Sequence, residues 1–279
     1  EFRRVLFRSV MDMWFKNLFK RKKSNTIKQE NKNITTVAFV ALENRELPNK
    51  SNFKDYLDDK FNIRIFINKW KEDIGTIDIE DKQVIITLMP HPIDWDEINQ
   101  SCERAWYFKQ ARSKMSKHTA HLVISINGRL DEQVRNCILL SKVIVAIINS
   151  TNVLGVYWYN IQTIRSPEEF ENKIVSLDEE SLPIELWVDI RMRMNGNFKQ
   201  DIYTVGMDKL GLKNIEILNC KLDYYILYIF VYEVCLNMVS KCYEYREKDI
   251  IEEGKYKFQV EYNKGSIIDN KEVINFISL

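Results

Sequence analysis

The chain has 279 residues, 45% of them hydrophobic and 29% charged, with a formal net charge of +1. That is enough apolar material for one large or two small cored domains, and the balanced charge excludes a dedicated nucleic-acid binder, whose cations gather on one face. Five scattered cysteines (Cys102, Cys137, Cys220, Cys235 and Cys242) never adopt CxxC spacing. They exclude a disulfide or zinc framework and read as reduced thiols of a cytoplasmic protein.

Residues 1–9 (EFRRVLFRS) resemble a translated sequencing adapter, so residues 1–12 are set apart from the fold, with a natural start at Met11 or Met13. In Met13-Trp14-Phe15-Lys16-Asn17-Leu18-Phe19-Lys20-Arg21-Lys22-Lys23, Trp14, Phe15, Leu18 and Phe19 share one helical face beside a basic end. This stretch reads as a basic tail, or as a contact with an anionic membrane surface or a partner. The apolar run is too short for a secretory signal. Residues 13–34 are assigned as tail and linker, 35–265 as a single domain and 266–279 as a C-terminal extension.

Within the domain, residues 36–42 (TVAFVAL) predict a buried strand, and Ser51 caps a helix over 52–60. Residues 62–67 alternate as a half-buried strand, and 83–89 (QVIITLM) form a third, closed by Pro90 and Pro92. Asp94 caps one long helix over 97–115, on which Arg104, Phe108 and Arg112 align. A strand over 120–126 ends in an Asn127-Gly128 turn, and Asp131 opens a helix over 132–149 whose all-round apolar centre predicts burial. Residues 153–159 form a strand, and Ser166-Pro167-Glu168-Glu169 is a strong helix start. Strands at 186–190 and 215–218 flank an irregular stretch at 196–211. The apolar helix over 223–241 is interrupted by Glu233 and Asn237 and so reads as buried, not membrane-spanning. Residues 255–262 alternate as an edge strand. The fold class is α+β: a mainly antiparallel or mixed sheet with helices mostly on one face. A strand-helix-strand-strand order recurs loosely after Ala120, and the best candidate boundary lies at 177–183.

Chemistry concentrates at His118 and His121. Such a pair serves as acid and base near neutral pH, binds a ligand or metal, or is simply bonded within the core. No HExxH motif or carboxylate set accompanies it, so no metal or cofactor is expected. Arg104, Trp106, Lys109, Arg112, Lys114 and Lys117 surround it with cations and one indole, a setting for an anion or a partner surface. Trp158 and Trp187 join Arg104, Trp106 and Lys117 as candidate contact residues. No Ser-His-Asp order, GxSxG elbow, P-loop or dinucleotide fingerprint occurs.

Several segments together resemble the bacterial "domain of unknown function 4261" family. They are Val37 to Leu42, Leu88-Met89-Pro90, Lys117-His118-Thr119-Ala120-His121 with the strand after it, and Gly155-Val156-Tyr157-Trp158. Further pieces are Ser166-Pro167-Glu168-Glu169-Phe170, Leu182-Pro183 with Leu186-Trp187-Val188, and Tyr203-Thr204-Val205-Gly206-Met207. The resemblance implies a single bacterial domain over roughly residues 36–262 and transfers no catalytic residue. Two readings follow. One is a non-enzymatic, immunity-like accessory module that binds another protein. The other is a hydrolase or transferase for an anionic substrate, with His118 or His121 as base and Arg104, Arg112 or Lys117 as anion clamp.

Overall fold

The computed structural model describes residues 32–177, 182–196, 199–253, 256–268 and 271–279. The segments at 1–12 and 13–23 and the acids Asp178 and Glu179 lie outside the described residues. Among those described, thirteen strands and seven helices build two sheets, the α+β class expected from the alternation of strand and helix patterns.

The first sheet contains β1 (Asn33–Leu42), β2 (Ile65–Lys71), β3 (Ile74–Ile79), β4 (Lys82–Met89), β5 (Ala120–Arg129), β6 (Val153–Trp158) and β7 (Thr163–Arg165). Their order is β2-β3-β4-β5-β1-β6-β7, every pair antiparallel. The second sheet contains β8 (Asp189–Met194), β9 (Gln200–Val205), β10 (Ile215–Cys220), β11 (Ile250–Glu253), β12 (Tyr256–Lys264) and β13 (Glu272–Ser278). It runs β11-β12-β13-β10-β9-β8, with β10 and β13 parallel.

The two-residue period of the strands sends Ala38, Val40 and Leu42 of β1 and Leu122, Ile124 and Ile126 of β5 to the inner face. There they meet α1 (Lys50–Phe61), α4 (Gln133–Ile148) and α5 (Pro167–Val175). Being apolar all round, α4 is buried, as its sequence predicts. Two shorter helices, α2 (Trp95–Arg104) and α3 (Ala111–Met115), cover part of the outer face, packing Ile98, Cys102 and Met115 on Ala41, Tyr157 and Ile164. On the second sheet lie α6 (Ile184–Trp187) and α7 (Tyr224–Ser240). Trp187, Phe230, Phe258 and Phe276 extend the inner core of the first sheet into the second, so both sheets share one core across the stretch proposed as a boundary.

The local signals performed well where a cap or an apolar period governs the element. Asp94, Ser166 and Asp223 accept from backbone N–H groups at the starts of α2, α5 and α7, and Pro167 occupies the first turn of α5. At α1 the cap is Asn49 instead of Ser51. No helix among the described residues is long and apolar enough to cross a membrane.

Tertiary contacts overrode other expectations. The helix expected over 97–115 stops at Arg104, because Phe108 turns into the outer core while Tyr107 turns under the Arg165 guanidinium. Asn127 and Gly128 stay in β5, opposite Thr35 and Ile34, with the Asn136 amide over the glycine where a side chain would stand. Residues 184–187 make a helical turn that buries Trp187, and the strand begins only at Asp189. The stretch at 196–211 contains β9. β12 is not an edge, for it pairs with β11 on one side and β13 on the other. Residues 266–279 are accordingly no extension: Val273, Ile274 and Phe276 of β13 are buried in the second sheet.

Candidate functional site

All three imidazoles gather where α3 runs into β5. His118 follows α3, and its Nε2 accepts the Ile93 N–H at 2.7 Å. A backbone N–H can only donate, so Nε2 is unprotonated, and the proton sits on Nδ1, which donates to the Met115 carbonyl. His121 stands on the outer face of β5, opposite Ala41 and Met89. Its Nδ1 lies 2.9 Å from the His91 carbonyl, and its ring packs 5.4 Å from Phe39 and 5.5 Å from His91. Both imidazoles are 5% exposed. Burial pushes their pKa values down, against a smaller upward pull from the carbonyls they meet. His118 thus spends both nitrogens on the backbone, and taking a proton would set two N–H groups head to head. Among the described residues no group of three His, Cys, Asp or Glu is arranged to hold a metal ion.

The remaining expected contact residues separate into two sets. Trp158 and Trp187 are 2% and 1% exposed, and neither is available to a partner. Trp158 stacks on Phe170 on the inner face, and the Trp187 indole N–H donates to Ser141 Oγ at 3.1 Å. Both are anchors of the shared core. Since His121 faces outward, Trp158 and the histidines share no cavity. Arg104, by contrast, ends α2 at half burial, donating to the Gln162 carbonyl at 3.2 Å and Ser101 Oγ at 3.3 Å. Trp106 is 63% exposed and Lys117 is exposed.

What presents Trp106 was not visible as a motif. Arg165, buried at the end of β7, lies 3.5 Å over the Tyr107 ring. It donates to Glu169 Oε1 at 2.9 Å and to the Glu185 carbonyl at 2.6 Å, while Lys173 pairs with Glu185. This clamp joins β7, α5 and α6 and holds Tyr107 half-buried, its hydroxyl pKa pushed up to about 12 chiefly by desolvation. With Tyr107 held inward, its neighbour Trp106 is forced out. The indole meets Tyr107 at 5.5 Å and Tyr228 of α7 at 6.4 Å, both edge-on. Beside them the first turn of α7 leaves Tyr224, Tyr225 and Ile226 exposed. The one available sequence signal was the four-residue spacing of Arg165 and Glu169 around the Ser166 cap.

Charge completes the surface. Between positions 103 and 117 the chain carries Arg104, Lys109, Arg112, Lys114 and Lys117 against Glu103 alone. Arg112 makes a long 3.4 Å pair with Glu103, and Lys109, Lys114 and Lys117 are exposed with no ion pair among the described residues. An aromatic patch therefore borders a cationic ridge. No family model, no curated protein and no solved structure matches the chain, so its own geometry carries the functional reading.

Proposed function

We propose that the protein is a non-enzymatic binding module of the bacterial cytoplasm that grips an acidic, aromatic- or aliphatic-bearing segment of another protein. The observation that carries this reading is the exposed Trp106, held outward by the Arg165–Tyr107 clamp and set between the apolar start of α7 and the exposed Lys109, Lys114 and Lys117, which make no ion pair among the described residues. Tryptophan is among the side chains that dominate binding energy at interfaces, and contiguous exposed aromatics mark contact sites. The cationic rim steers an acidic partner and sets a salt dependence. An accessory or immunity-like role fits such a module, as does the family resemblance, which brings no catalytic residue. The alternative, acid–base chemistry at His118 and His121, draws no support from imidazoles bonded to backbone carbonyls.

The test is fluorescence anisotropy with fluorescein-labelled 15-residue peptides, Asp/Glu-rich with one central Phe or Leu, against Lys-rich peptides of the same pattern. The acidic set is expected to bind, more weakly as salt rises. Trp106→Ala should weaken it about 30-fold, the scale of a hot-spot residue, and Lys114→Glu with Lys117→Glu should reverse the charge preference. Equal binding of acidic and basic peptides, or a Trp106→Ala protein indistinguishable from the parent, would overturn the proposal.

A further inference from the structure

Among the described residues, the outer face of the first sheet is covered only at one end. α2 and α3 close over Ala41 and Tyr157, while Val37, Phe39, Ile85, Met89 and Val123 stay half-buried and Tyr159 is 46% exposed. These side chains adjoin across the strands: Val123 stands opposite both Phe39 and Thr87, and Ser125 opposite both Val37 and Ile85. Beyond them, Phe66 of β2 is 69% exposed. A sheet face left to water alternates apolar-in with polar-out. Here the outward positions at 74–78, 83–89, 121–127 and 35–41 hold one carboxylate, Asp78, and no lysine or arginine. That is the composition of a covered face.

We infer that residues 13–23 of the same chain cover it. Their Trp14, Phe15, Leu18 and Phe19 fall on one apolar face at helical spacing in the sequence. The reach is ample. The chain enters β1 at Lys32, whose carbonyl accepts from Leu130 N–H. Thirteen residues from Phe19 to that point span up to about 43 Å, against about 19 Å across the strands β3 to β6. The size also discriminates. The open rows measure about 19 by 17 Å, roughly 300 Å², which suits one short segment and falls well below the roughly 800 Å² per partner of a stable dimer interface.

The experiment places the photo-crosslinker benzoylphenylalanine at Phe15 in the full chain and irradiates a mixture of unlabelled and ¹⁵N-labelled protein. Crosslinks onto peptides containing Phe39, Ile85 or Val123, each pair of a single isotope, are expected, with the yield falling at least tenfold in Val123→Asp. Thr87→Lys, which charges a position already polar, gives the same readout where Val123→Asp does not fold. Mixed-isotope pairs would assign the face to a second copy and overturn the inference. So would crosslinks mapping elsewhere, a yield indifferent to both substitutions, or crosslinks that move to lipid when vesicles containing phosphatidylserine are added.

Discussion

Acid should loosen this fold before its carboxylates titrate, through the two buried imidazoles. Both have depressed pKa values, chiefly from burial. Above the unfolded value of about 6.5 neither folded nor unfolded chain holds these protons, and the stability is fully present. As pH falls through that value the unfolded chain takes up protons that the native state refuses, so stability drops until the folded pKa values are passed. Between pH 7.5 and 5.5 the loss reaches at most about 1.4 kcal/mol per imidazole and about 2.7 for both, from 1.36 kcal/mol per pH unit. His118→Leu separates this linkage from packing. At pH 7.5 it orphans the Ile93 N–H and leaves the Met115 carbonyl only the backbone N–H of residue 118, which costs about 1–3 kcal/mol in all. Its own further loss on moving to pH 5.5 should be smaller than the parent's by up to about 1.4 kcal/mol. Urea unfolding at the two pH values measures both quantities. An identical acid loss in parent and variant would refute the assignment of His118 as a neutral, backbone-bonded imidazole.

Three further outcomes follow from single contacts. Glu216→Ala removes a fully buried carboxylate that accepts from the N–H groups of Ser266, Ile267 and Ile268; it should cost about 3 kcal/mol or more, with hydrogen exchange accelerated at those three amides. If exchange there is unchanged, the carboxylate does not hold that turn. Arg165→Ala strands Glu169 and unseats Tyr107, so a loss of about 3–5 kcal/mol should be accompanied by altered Trp106 fluorescence; a normal spectrum would detach the clamp from the patch. Gly206 and Gly196 both have positive φ, but a side chain at Gly206 would stand 2.7 Å from the Trp187 carbonyl, whereas among the described residues nothing lies within 4 Å of one at Gly196. Gly196→Ala should therefore cost about 1 kcal/mol and Gly206→Ala several times more by thermal unfolding, and equal melting temperatures would contradict the packing of Gly206 on Trp187.

What the sequence determined by itself is what local chemistry encodes. Asp94, Ser166 and Asp223 announce three helix starts because a short polar side chain satisfies the first free N–H groups wherever the helix goes. The apolar, β-branched runs at 36–42 and 120–126 announce two strands of the first sheet, and the cation-rich stretch around Trp106 is legible as an exposed basic segment. Only the tertiary structure decided which indoles are exposed. Trp158 and Trp187 carry the same side chain as Trp106, but they face a core shared by both sheets, while Trp106 is turned outward by Arg165, far along the chain at the end of β7. It also decided that β13 is interior, since a strand's place in a sheet depends on which edge receives it and not on its own pattern. The histidines show the same division: their spacing marked the place, and the backbone groups of Ile93, Met115 and His91, contributed by a loop and a helix that local pattern does not align, fixed what they do there.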